Sequence, residues 1–95
     1  MGLSFEWDAD KARINVQKHG VSFEEASTVF QDPLASTIYD PDHSEDEDRY
    51  LSLGQSSENR LLVVSFTDRD ETIRIISARV ASRRERKQYE ETSET

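Results

Sequence analysis

The chain has no cysteine, two prolines, three glycines, one methionine and one tryptophan in 95 residues. Without cysteine there is no disulfide framework and no thiolate ligand set, which excludes the small oxidised secreted scaffolds and the cysteine-based zinc modules. No run of about 18 apolar residues could cross a bilayer, and no charged-then-apolar leader opens the sequence. Membrane insertion and signal-peptide secretion therefore lack support, and the cytoplasm is the expected location. Apolar residues are scarce as well, at 34%, below the roughly 45–50% usual for globular domains even after the glycines are added. One domain spanning 1–95 is expected, with a thin core that favours a stabilising partner.

Positive charge is the other shortage. The formal net charge is −8, and an acidic protein is repelled at long range by a phosphate backbone, so a generic nucleic-acid binder is disfavoured. The distribution is uneven. Residues 1–48 carry 3 Lys/Arg against 12 Asp/Glu, a net of −9, whereas residues 49–95 carry 9 against 8, a net of +1. A locally basic surface can therefore sit on an acidic protein, with the acidic half facing solvent or a basic partner. Nine of the twelve basic residues are arginine, a bias that also fits adaptation to high salt.

Turn and cap signals divide the chain into short elements. Leu3 to Trp7 reads as a first strand, after which Asp8 can cap a helix over 9–19 that Gly20 ends in a left-handed conformation. Ala9, Ala12, Ile14 and Val16 give that helix a weak apolar stripe. Ser22-Phe23-Glu24-Glu25 has the form of a reciprocal capping box, with Val21 stapled on Ala26. Phe23, Ala26, Val29 and Phe30 then recur at helical spacing until Asp32-Pro33 breaks the helix. Beyond Leu34 the period changes to two. Residues 35–39, 49–55, 60–67 and 72–79 read as strands, the last two forming a hairpin across a four-residue loop.

If Thr67 pairs with Thr72, then Leu62, Val64 and Phe66 share a core face with Ile73 and Ile75. Arg74 then lies beside Ser65 on the other face. Ser82-Arg83-Arg84-Glu85 resembles a second capping box, opening a short helix that reaches Tyr89 to Glu91 before a frayed tail. The expected class is α+β, in the order β-α-α-β-β-β-α, with the two amino-terminal helices on one face of a mainly antiparallel sheet.

Several of these segments together carry a family resemblance. Phe5-Glu6-Trp7-Asp8, Lys18 through Ala26, Asp32-Pro33, the Asp40-Pro41-Asp42-His43-Ser44 loop, Arg74 through Arg79, Arg83-Arg84-Glu85-Arg86 and Tyr89-Glu90 make the sequence similar to the BrnT toxins, from about residue 4 to 91. The resemblance implies a RelE-like fold and a ribonuclease activity that arrests translation. It also implies neutralisation by a BrnA-type antitoxin carrying a ribbon-helix-helix DNA-binding region, so that DNA is contacted only through the antitoxin.

The residues themselves are compatible with that chemistry. No H-E-x-x-H pattern, ligand cluster or Gly-rich phosphate loop is present, so neither a metal nor a cofactor is expected. Metal-free RNA cleavage needs a base for the ribose 2′-OH, cations for the charge developing on phosphate, and an acid for the leaving 5′ oxygen. Arg74, Arg79 and Arg83 are the candidate phosphate contacts, because a guanidinium can grip phosphate oxygens with two parallel hydrogen bonds. Their alternative is salt bridging to Glu6, Glu47 or Asp68. His43, in an acidic loop whose carboxylates could orient it, is a candidate for proton transfer, or else simply an exposed loop residue. Tyr89 could serve acid-base work or base stacking, or close the core.

The remaining residues have plainer readings. His19 fits a helix-end role, Trp7 a core plug, Glu24 and Glu25 a helix start, and Arg84 and Arg86 solvated helix charges. A non-catalytic module that binds its partner within a DNA-bound repressor complex is the competing function.

Overall fold

The computed structural model describes residues 3–44 and 46–93, and its elements begin where the cap signals lie. Strand β1 (Ser4–Glu6) leads into helix α1 (Ala9–His19), with Asp8 accepting from the N–H groups of Asp10 and Lys11 at 2.9 and 3.0 Å. Gly20 ends α1 at φ 68°, in the left-handed region where glycine carries no side-chain penalty. Helix α2 (Phe23–Ser27) tightens into a 3-10 turn, Thr28–Gln31, before Asp32-Pro33. Strands β2 (Ser36–Tyr39), β3 (Tyr50–Gln55), β4 (Leu61–Arg69) and β5 (Thr72–Val80) follow, and helix α3 (Arg83–Ser93) closes the described chain.

The five strands form one sheet in the order β1-β5-β4-β3-β2. β1 runs parallel to β5, and every other pairing is antiparallel, so the sheet is mixed. The expected order β-α-α-β-β-β-α is one strand short, since all four runs read as strands after the helices, at 35–39, 49–55, 60–67 and 72–79, form strands. The 3-10 turn Pro41–His43 and the rest of its acidic loop separate β2 from β3. Helix α3 also runs two residues past the expected end, to Ser93. Of the expected frayed tail, residues 94 and 95 lie outside the described residues.

One face of the sheet carries the core. Phe23, Ala26 and Val29 pack on Leu62, Val64, Phe66, Ile73, Ile75 and Ala78. A run of aromatic contacts crosses the same layer, Tyr39 to Tyr50 to Phe66 to Phe30 to Phe5, with centroids 4.9 to 5.8 Å apart. Trp7 meets the Phe23 ring edge-on at 5.9 Å, as a core plug should. Gly54 of β3 lets the segment after α2 cross closely, since a Cβ there would lie 2.8 Å from the Ala35 Cβ and 2.9 Å from a Val29 methyl.

Of the apolar stripe expected on helix α1, Ala12 packs against the core. Ile14 and Val16 are exposed, and the buried residue is Asn15, only 5% accessible. Its amide donates to the carbonyls of Val21 and Ala78 at 2.9 and 2.8 Å and accepts from the Ala78 N–H at 3.1 Å. A fully bonded amide is tolerated in a core where an unbonded one costs about 1–3 kcal/mol.

The Ser22 box is also one-sided. Ser22 accepts from the Glu25 N–H at 3.0 Å, but the Glu25 carboxylate does not return the bond to the cap. That side chain is 3% accessible and holds the Arg60 guanidinium and the Ser56 hydroxyl instead. Arg60 holds the Glu25 carboxyl below its usual range against the opposing effect of burial. A buried carboxylate without a cation would cost far more than one lost cap bond, so the ion pair takes precedence.

Candidate active face of the sheet

The β4–β5 hairpin is antiparallel, as expected, but its register differs from the Thr67–Thr72 pairing. Arg69 pairs with Thr72 and Thr67 with Arg74, across a two-residue turn in which Asp70 adopts φ 58°. A slip of two residues preserves facing, which is why Leu62, Val64, Phe66, Ile73 and Ile75 still meet in the core. Arg74 lies opposite Thr67, not beside Ser65.

A second irregularity changes the chemistry. Phe66 pairs with Ile75 but Ser65 pairs with Ser77, so Ile76 is an extra residue, a β-bulge. Residues 74 and 79 differ by an odd number and would face opposite sides of a regular strand. The bulge reverses that. Arg74 opposite Thr67, Ser77 opposite Ser65 and Arg79 opposite Val63 all project from the face away from the two amino-terminal helices, together with Arg69. The cross-strand positions of Arg74 and Arg79 are four residues apart on β4, or roughly 13 Å.

Each of these three arginines meets a carboxylate. Arg74 donates to Glu6 at 2.7 Å, Arg69 to both oxygens of Glu47 at 2.9 and 2.7 Å, and Arg79 to both oxygens of Glu85 at 2.8 and 2.9 Å. Of the expected alternatives to phosphate, Glu6 does pair with Arg74, whereas Glu47 is held by Arg69 instead, Asp68 is not among these partners, and Arg79 takes the unexpected Glu85. The three ion pairs are partly open to solvent, and such pairs exchange readily for another anion. Beneath the Arg74 end, the Thr67 hydroxyl is buried without a hydrogen-bond partner.

His43 lies in an exposed turn, with its Nδ1 2.9 Å from a carboxylate oxygen of Asp40. A carboxylate only accepts, so Nδ1 carries the proton and Nε2 remains for proton transfer. His43 lines a small hollow with Asp42, Asp46, Glu47 and Arg49. Glu47 thereby joins the histidine loop to Arg69. Among the described residues, no three His, Cys, Asp or Glu side chains converge as a metal site would.

At the other end of the face, Glu85 completes the expected Ser82 box in both directions. It accepts from the Ser82 N–H at 2.8 Å, and its own N–H donates to the Ser82 hydroxyl at 3.2 Å. Arg79, followed by these cap bonds, holds the Glu85 carboxyl down to about 2 against the opposing effect of burial. Arg83, just inside α3, is exposed, as are Arg84 and Arg86. One turn after Glu85, the Tyr89 hydroxyl donates to Asp32 at 2.6 Å, and burial followed by the Asp32 charge pushes the phenol up to about 12. Asp32 also accepts from the Gln55 N–H at 2.8 Å. Tyr89 therefore fastens α3 to the sheet.

The predicted residues thus form two groups on one face. Arg74 lies toward the hairpin end, linked by Arg69 and Glu47 to the His43 loop. Arg79 and Arg83 lie where α3 begins, and Tyr89 midway along it. Arg69 and Thr67 were missed. Arg69 falls within the turn that the sequence pattern suggests, and no pattern in the sequence marks a buried threonine as unbonded.

The model of the ribonuclease toxin BrnT of type II toxin-antitoxin systems matches residues 7–85. The chain belongs to the BrnT family. Its fold is similar to the crystal structure of the Brucella abortus ribonuclease toxin BrnT. The TM-score is 0.62 at 24% identity, over 85% of this chain and 99% of that one. No curated protein matches the sequence. In this BrnT-family chain no helix among the described residues is long and apolar enough to cross a membrane.

Proposed function

We propose that this BrnT-family toxin cuts RNA without a metal ion on the open face of its RelE-like sheet, inhibits translation in the cytoplasm and is neutralised by a BrnA-type antitoxin. DNA is then reached only through the ribbon-helix-helix region of that antitoxin. The observation that carries the reading is the bulge at Ile76, which sets Arg74 and Arg79 on the same face with Arg69. Arginines anchored at two points along one face can grip an RNA backbone and stabilise the charge that develops on the scissile phosphate. Arg83 adds an exposed cation at the edge of that track.

The ribose 2′-OH is the nucleophile that needs neither metal nor covalent attachment to the protein, so the product is a 2′,3′-cyclic phosphate. Nε2 of His43, with Nδ1 committed to Asp40, is placed for proton transfer. Tyr89 acts through the position of α3 unless its bond to Asp32 opens; once open, the phenol could act as acid or stack on a base.

The carboxylate on each of the three arginines favours a second reading, a non-catalytic module that only binds its partner in a repressor complex. Incubating the purified free protein with RNA in a chelator and mapping the cut ends separates the two. Cyclic phosphate ends are expected. Intact RNA, together with no growth arrest when the chain is expressed alone, supports the module instead.

A further inference from the structure

Strand β2 is one of the two edges of the sheet, β1 being the other. Its ladder with β3 fixes which backbone groups are free. Asp40 donates to the Arg49 carbonyl at 2.8 Å, so the Asp40–Arg49 pair is of the hydrogen-bonded kind, and alternation makes Ile38–Leu51 and Ser36–Leu53 the same. The N–H and C=O groups of Thr37 and Tyr39 therefore face away from β3. Beside this edge, a groove of about 560 Å³ runs under α3, lined by Leu34, Ile38, Leu51, Leu53, Val63 and Tyr89, among others. Ile38 is 60% accessible and Leu34 45%. No residue of β2 is charged and none is proline, although an uncovered edge is usually protected by such residues.

We infer that β2 is the docking edge for the antitoxin, which adds an extended, basic segment as a sixth strand. This rests on the antitoxin reading above. Main-chain bonds to Thr37 and Tyr39 would supply affinity, and every second side chain of the added strand would enter the groove beside Ile38. Charge identifies the occupant. The chain carries −8 overall, the loop after β2 places Asp40, Asp42, Asp46 and Glu47 at one end of the edge, and Glu91 lines the α3 side of the groove. An acidic segment would be repelled at both ends, whereas one alternating Lys or Arg with apolar residues is complementary to edge and groove alike.

The test is residue-resolved amide exchange of the toxin, free and in complex with its co-purified BrnA-type antitoxin. The Thr37 and Tyr39 amides should exchange fast in the free protein and at least about tenfold slower in the complex, while Ile38 and Asp40, already bonded to β3, are slow in both. Two variants accompany it. Thr37→Pro removes an outward donor and leaves the β3 ladder intact, and Ile38→Lys places a charge on an already exposed position. Each should weaken antitoxin binding about tenfold or more while growth arrest by the free toxin persists. Unchanged Thr37 and Tyr39 exchange in a formed complex, or wild-type binding by both variants, overturns the docking edge. Failure of the wild-type toxin to bind the antitoxin at all overturns the partner reading itself.

Discussion

Arg79 holds Glu85 by two nitrogens, at 2.8 and 2.9 Å, and so ties the end of β5 to the first turn of α3. The same guanidinium is a proposed phosphate contact, so Glu85 competes with the RNA. Glu85→Gln retains a residue able to complete the Ser82 box but removes the competing charge. Its KM for RNA should fall a few-fold with kcat little changed. An unchanged or raised KM in steady-state cleavage assays would mean that Arg79 does not exchange partners.

Glu85 also sets a pH dependence of stability. Its folded value of about 2 lies below the ordinary 4.5, so the folded state favours the ionised form. The contribution is fully present above about pH 4.5 and is lost as pH falls through about 2. Glu25 and Asp32 are lowered too, so the wild type should lose thermal midpoint steadily across this window. Glu85→Gln should lose less over the same interval, measured by melting at pH 5, 4, 3 and 2. Parallel curves for the two proteins would show that Glu85 is not coupled to folding.

The unbonded Thr67 hydroxyl makes a separate prediction. Replacing a buried, unsatisfied hydroxyl by a methyl of nearly the same shape removes a desolvation penalty of about 1–3 kcal/mol. Thr67→Val should therefore raise the midpoint of urea unfolding with an unchanged slope. A destabilised variant would indicate that the hydroxyl has a partner in solution, with ordered water the natural candidate.

The caps, the hairpin and the core stripe were readable in the sequence because each depends on local patterns. Asp8 and Gly20 bound α1, Phe23, Ala26 and Val29 line the core, and 61–69 pairs with 72–80. What was not readable depends on partners distant in sequence. Asn15 is buried only because Val21 and Ala78 bring backbone groups to its amide, 6 and 63 residues away, and hydropathy places asparagine outside. Glu25 leaves its cap because Arg60 lies within reach.

The candidate site shows the same division. The arginines around β5 were visible as a cluster, and Glu6 was a recognised candidate partner. Their common face was not visible, because it depends on one extra residue, Ile76, in a run of β-branched and small side chains that reads as regular alternation. The Glu85 pairing of Arg79 was hidden for another reason: the capping-box pattern accounts for Glu85 locally, and nothing in the pattern shows that the same carboxylate also reaches the end of β5.

The most direct measurement is the single-turnover rate of RNA cleavage, in chelator, by Arg74→Ala and Arg79→Ala beside the wild type. Loss of one preorganised charge-stabilising donor is worth about two orders of magnitude in rate. Each variant should therefore be slowed about 100-fold while remaining folded, with lysine at either position restoring only part of the rate. Wild-type rates in both alanine variants, or cleavage abolished by the chelator and restored by magnesium, would contradict metal-free catalysis by the arginine face and leave these side chains as structural ion pairs.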